Sequence, residues 1–154
     1  MTNRQTIDEF LSLRRLALVG VSRNPHDFSR VLFRELRRRN YDVVPVNPQL
    51  SSAEGVPCCA QIREVTPKVD GALLLTPAAA SAGVVEECAS CGVGHVWLHR
   101  SGGPGAVSAK AVELCHQHNI AVVDGECPFM FLPGTGWFHR LHGLWRKRFG
   151  TSPR

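Results

Sequence analysis

The sequence predicts an α/β fold: one doubly wound parallel sheet of five strands in a single domain. Three observations point there. Short apolar runs alternate five times with helical patterns between residues 16 and 124. The runs are continuously apolar rather than alternating, as expected of strands buried on both faces. No Asn-Gly or Asp-Gly pair joins two neighbouring strands, since Asp124-Gly125 follows the last one. The connections are therefore helical crossovers, which run right-handed between parallel strands.

Size and composition agree with that class. A chain of 154 residues is enough for one domain, which at that length buries about 68–70% of its unfolded surface. The chain is 44% hydrophobic and 20% charged, which is ordinary for a globular protein. The net charge of +5 and pI of about 9.1 suit a polyanionic ligand, without separating a small phosphate compound from nucleic acid or a membrane surface. Residues 1–8 are polar, and the apolar run at 16–21 is shorter than a secretory core. No apolar stretch approaches the roughly 20 residues of a membrane span. The expectation is a cytoplasmic protein with no membrane span, whose six cysteines are thiols.

Each element has a local reason. Residues 8–15 carry Phe10, Leu11 and Leu13 among polar neighbours and read as a short helix capping the sheet. Residues 16–21 are the first strand. Residues 29–39 form a helix that turns Val31, Leu32, Phe33 and Leu36 inward, with Arg34, Arg37, Arg38 and Arg39 as a solvated face. That basic last turn also suits the helix dipole. Residues 42–46 are the second strand, stopped by Asn47-Pro48. Residues 51–67 read as loop, with a short strand or turn near 56–59. Residues 71–75 are the third strand. Thr76 reads as an N-cap and Pro77 as the first helical position of a helix over 78–91, stopped by Gly92. Residues 95–98 are the fourth strand, 101–105 a tight loop, and a helix follows to about 118 with Asn119 as a left-handed cap. Residues 120–124 are the fifth strand. Residues 136–149 read as a basic amphipathic helix, and 151–154 as a frayed end. The domain organisation is thus a cap at 1–15, a nucleotide-type domain at 16–135 and a terminal helix and tail at 136–154.

The chemistry concentrates where the first strand ends. Gly20 supplies a tight turn, and a helix begins near Ser29. A strand, a turn and a helix in that order aim backbone amides at a phosphate. With Rossmann strand order, the crevice opens between the loops after the first and fourth strands. The dinucleotide fingerprint is absent, because Ser22 and Pro25 stand where its second and third glycines belong. Asn47 stands where a nicotinamide enzyme places an acid for the ribose hydroxyls. An asparagine tolerates a phosphorylated ribose. Both points argue against NAD.

These residues resemble the small stand-alone CoA-binding proteins, whose single Rossmann-like domain is similar to that of the succinyl-CoA synthetase alpha subunit. The resemblance rests on Val19-Gly20-Val21-Ser22 with Ser29-Arg30-Val31, and on the run from Tyr41 to Asn47-Pro48. Asp70-Gly71, Thr76-Pro77, Val96-Trp97-Leu98 and Val122-Val123-Asp124 with Cys127-Pro128 match in character. It implies coenzyme A or an acyl-CoA as ligand. Gly20, Val21 and Ser22 would line the diphosphate, with Ser29 and Arg30 on the same charge. Val46, Asn47 and Pro48 would border the adenine-ribose end. Thr76 and Pro77 would flank the adenine or the pantetheine arm. Arg23 and Arg100 depart from the family pattern, as does the apolar run 129–132; either arginine pairs with phosphate or is solvated.

Other residues carry weaker signals. Cys88 and Cys91 have metal-pair spacing, but a zinc site needs four ligands and no second pair follows. They read as structural thiols. Cys127 sits near the expected crevice, as a small core residue or as a partner for the CoA thiol. His99 is the one histidine placed at the strand ends. No Ser-His-Asp or Cys-His arrangement is apparent. The leading expectation is therefore a CoA-binding module without a complete catalytic set. The alternatives are a subunit or partner of an acyl-CoA-using enzyme, and a binder of another nucleotide such as NAD. A third class is an interaction protein that docks through its basic tail. The expected partners are a small nucleotide ligand and either a protein partner or a second copy. No specific nucleic-acid site is expected.

Overall fold

The computed structural model describes residues 3–100 and 105–133. Its elements in chain order are α1 (Arg4–Leu11), β1 (Arg15–Val19), α2 (Phe28–Arg38), β2 (Asp42–Val46), β3 (Ser52–Ala53), β4 (Val56–Pro57), β5 (Gly71–Leu74), α3 (Ala78–Cys91), β6 (His95–Leu98), α4 (Ala109–Gln117) and β7 (Ala121–Asp124). Single turns of 3-10 helix sit at Ile62–Glu64 and Pro128–Met130. The expected terminal helix lies outside the described residues.

Five strands form one sheet in the order β2-β1-β5-β6-β7, all parallel. The strands are apolar on both faces because both faces are covered. On one face α3 and α4 pack Val85, Cys88, Ala111, Leu114 and Cys115 onto Ala17, Val19, Val44, Leu74, Val96 and Leu98. On the other, α1 and α2 pack Ile7, Phe10, Leu32, Phe33 and Leu36 onto Leu16, Leu18, Leu73, Trp97 and Val123. Pro45 is tolerated because β2 is an edge strand, where a missing N–H costs no ladder bond.

Several expectations shift. The first helix begins at Arg4 rather than residue 8, because the Asn3 side chain accepts from the Thr6 amide and caps it. The first strand ends at Val19, since Gly20 turns the chain at φ +94°. The helix after it starts one residue early, at Phe28, capped by the Asp27 carboxylate.

The largest change is strand order. In sheet strands counted along the chain it is 2-1-3-4-5, so the direction of winding reverses between β1 and β5, not between the first and fourth strands. The crevice at such a switch point opens between the loops after β1 and β5. The His99 loop follows β6, one strand further away. The short strand expected near 56–59 is β4, and it pairs antiparallel with β3, which the sequence reading takes as loop, to make a small hairpin. Its turn, Glu54-Gly55, has both residues at positive φ, +50° and +76°.

Candidate functional site

The loops at the switch point touch. A Cβ on Gly20 would lie 3.0 Å from the Leu75 carbonyl carbon and oxygen and 3.3 Å from the Thr76 nitrogen. With its positive φ, this position admits only glycine without strain. The Gly20 amide donates to the Val46 carbonyl at 3.0 Å, and the Leu75 amide donates to the Val19 carbonyl at 2.8 Å. The ends of β1, β2 and β5 thus form one rigid rim.

The loop after Gly20 is braced from within. The Ser22 amide donates to Ser29 Oγ at 2.9 Å, and Ser29 Oγ donates to Asp27 Oδ2 at 2.6 Å. Arg30 donates to the Ser22 and Arg23 carbonyls at 3.1 and 3.4 Å and to Glu54 Oε2 at 2.5 and 2.8 Å. Val21 is fully buried, and its carbonyl accepts from Asn47 Nδ2 at 2.8 Å. Asn47 Oδ1 in turn accepts from the Gln49 amide at 2.7 Å. So Ser29, Arg30 and Asn47, read from sequence as ligand contacts, are engaged in shaping the loop. Arg23 is exposed, with one 3.5 Å contact to Gln49 Oε1.

The helix termini differ in one respect that bears on anions. Asp27 caps α2 and the Ser108 side chain caps α4. The first turn of α3 has no side-chain cap. Thr76 was expected to supply it, but Pro77 occupies the cap position, and the Thr76 hydroxyl instead pairs with Ser81 Oγ at 2.9 Å. The N-terminus of α3, which follows the Leu75-Thr76 segment that touches Gly20, therefore keeps the positive end of its dipole free of a capping side chain.

Below this rim lies a cavity of about 380 Å³, within the usual range for small-molecule sites. Its walls are Val19, Gly20, Val46, Asn47 and Pro48 from the first two strand ends, and Ala60 and Gln61 beyond the hairpin. Thr76, Ala80, Gly83, Val84 and Glu87 close it along α3. Five predicted residues are brought together here: Gly20, Val46, Asn47, Pro48 and Thr76. Val21, Ser22, Arg23, Ser29, Arg30 and Pro77 are not among its lining residues. Ala80, Gly83, Val84 and Glu87 were missed, yet they recur at helical spacing as one stripe. A run of small residues there leaves the concavity; a Cβ on Gly83 would meet nothing within 4 Å. Ala60 and Gln61 carried no sequence signal. They reach the site because the Cys59 amide donates to the Pro45 carbonyl and the Asn47 amide to the Cys59 carbonyl, extending the β2 edge.

Electrostatics define the hairpin's attachment. Arg34, also bonded to the Pro25 carbonyl, contacts Glu54 Oε1 at 3.3 Å, and Arg37 reaches the Glu54 carbonyl at 3.2 Å. Arg38 and Arg39 hold Glu35 at 2.7 and 2.8 Å. The arginine face is solvent-exposed at Arg34, Arg37 and Arg38 as expected, and each of these side chains also reaches a carboxylate or carbonyl partner. Burial pushes the Glu54 carboxyl up, but hydrogen bonds from Arg30 and Arg34 together with their charges outweigh it and hold the carboxyl below its ordinary value. Burial drives the Cys88 and Cys115 thiols up to about 12. Among the described residues no cluster of three His, Cys, Asp or Glu side chains could hold a metal ion. None of the described helices is long and apolar enough to cross a membrane.

Residues 14–133 match the CoA binding domain family. The ADP-forming acetate–CoA ligase of Methanocaldococcus jannaschii is 23% identical over 118 residues, covering 74% of this chain and 17% of the ligase. The chain therefore spans about a sixth of that relative. Bacillus subtilis YneT is 24% identical over 114 residues, covering 74% of this chain and 82% of YneT. A solved protein from Pyrococcus horikoshii shares the fold, with a TM-score of 0.75 at 21% identity over 83% of this chain and 87% of its own.

Proposed function

This chain belongs to the CoA binding domain family, and from that premise we propose that the rim and cavity at the β1/β5 switch point hold CoA or an acyl-CoA. The diphosphate lies across Gly20, Ser22, Thr76 and Pro77 and the uncapped N-terminus of α3 that follows them, with Arg23 as the exposed cation. Ser29 and Arg30 act through the loop they brace. The phosphorylated ribose sits at Asn47 and Pro48, and the base enters the cavity past Val46. The protein binds without a complete catalytic set of its own. One observation carries this reading: a helix N-terminus with no side-chain cap follows directly on the Leu75-Thr76 segment that touches Gly20, and Gly20, Thr76 and Ala80 line one cavity.

A second reading is favoured by the match to an acetate–CoA ligase, namely that the chain serves a larger acyl-CoA-using assembly as its CoA-holding part. Calorimetry with CoA, acetyl-CoA, NAD and ATP tests the main reading. CoA compounds are expected to bind and NAD and ATP to bind far more weakly; preference for NAD overturns it. Gly83→Phe, which fills open space in the cavity, is expected to cost about tenfold or more in CoA affinity while the unfolding midpoint stays within a few degrees. Unchanged affinity would place the base elsewhere.

A further inference from the structure

Among the residues that line the cavity Glu87 alone is ionisable; Asn47, Gln61 and Thr76 are its other polar side chains. Glu87 lines the cavity beside Val84 on α3, and Gln61, Val19 and Val46 line it from other segments. Glu87 is partly buried, and its Oε1 accepts from the Ile62 amide at 2.7 Å. That bond ties α3 to the 3-10 turn behind the hairpin and fixes the carboxylate's rotamer. It uses one oxygen, and the other retains acceptor capacity and no proton to donate. From Ala80 to Glu87 the helix rises about 10 Å at ~1.5 Å per residue, the reach of one nucleoside. A base entering past Gly20 and Asn47 thus ends at Glu87.

We propose that Glu87 is a specificity-determining residue that recognises the base by accepting a hydrogen bond from the exocyclic amine of a 6-aminopurine. The inference rests on the CoA reading above and adds what selects the base. A carboxylate oxygen covered by a base that offers it no donor is desolvated and unpaired, so a base lacking the amine is disfavoured. The Ile62 amide makes the selection directional, because it prevents the carboxylate from turning away.

The test is a two-by-two calorimetric comparison. The ligands are CoA and the CoA analogue carrying unsubstituted purine in place of adenine. The proteins are the unaltered chain and Glu87→Gln, which keeps an oxygen for the Ile62 amide and turns an NH2 toward the base. The unaltered chain is expected to bind the analogue about tenfold more weakly than CoA, the usual loss for a hydrogen bond to a charged group. Glu87→Gln is expected to bring CoA down to the level of the analogue, whose own binding changes less than about twofold. Equal binding of both ligands by the unaltered chain, or equal losses for both in the variant, overturns the role of Glu87 and leaves CoA binding standing. Binding of neither ligand refutes the CoA reading and this inference with it. Should Glu87→Gln fail to fold, Glu87→Asp, which withdraws the carboxylate by one methylene, is judged by the same two criteria.

Discussion

At the scale of single residues, Asn47 shows how one side chain can brace a loop and border a cavity at once. Its amide group donates to the Val21 carbonyl and its oxygen accepts from the Gln49 amide. Asn47→Asp replaces the donor with a charged acceptor facing a carbonyl oxygen. The expected cost is about 1–3 kcal/mol of stability with no ligand present, measured by denaturant unfolding. A loss seen only in CoA binding would remove the bracing role and leave Asn47 as a ribose contact alone. The cysteines differ in the same residue-level way. Cys88 and Cys115 are fully buried with thiols raised to about 12, whereas Cys58 and Cys59 are partly exposed. Alkylation of the native protein at neutral pH is expected to mark Cys58 and Cys59 first and to reach Cys88 and Cys115 only on unfolding; mass spectrometry of the labelled peptides reads the order.

At the scale of elements, the β3-β4 hairpin is held by charge rather than by its own turn. Glu54 at φ +50° is an unfavourable conformation for a residue with a Cβ. It persists because Arg30, Arg34 and Arg37 from α2 all grip it. The segment running on from that hairpin supplies Ala60 and Gln61 to the cavity, so the latch also positions a wall of the site. Burial raises the Glu54 carboxyl, but the Arg30 and Arg34 hydrogen bonds and charges outweigh it and hold it below its ordinary value. Glu35 is lowered too, by the Arg38 hydrogen bond against burial and with help from Arg39. A lowered carboxylate contributes stability that is present above its unfolded value and lost as pH falls through its folded value. Unfolding midpoints are therefore expected to fall as pH drops through and below the ordinary glutamate range, and Glu54→Gln to flatten that dependence while lowering stability at neutral pH. A variant with the same acid slope as the parent would remove Glu54 from the latch.

At the scale of the whole molecule, the fold makes ligand binding and stability one equilibrium. The cavity is bounded by β1, β2, α3 and the segment after the hairpin, so it exists only in the folded chain. CoA at about 100 times its Kd is expected to add about 2.7 kcal/mol. For a chain of this size that raises the midpoint by roughly 5–11 °C, at about 2–4 °C per kcal/mol. NAD at the same concentration is expected to shift it little. Differential scanning fluorimetry compares them directly, and an equal rise with NAD would contradict the CoA reading.

Much of this was legible before any coordinates. Strand and helix identities follow from local apolar periodicity, and the turn at Gly20 from a residue able to take positive φ. The stop at Asn47-Pro48 follows from proline's missing donor. The stripe Ala80-Gly83-Val84-Glu87 was legible in principle, through helical spacing and small size. Nothing local, however, distinguishes a strand order of 2-1-3-4-5 from the Rossmann order, because each crossover has the same pattern of residues in either. Nor could composition reveal that Arg30 faces Glu54, 24 positions away, instead of a phosphate. The sequence alone determined which segments are strands and helices, since that depends on neighbours within a few residues. The tertiary structure decided where the crevice opens and which polar groups remain for a ligand, because both depend on contacts between segments far apart in the chain.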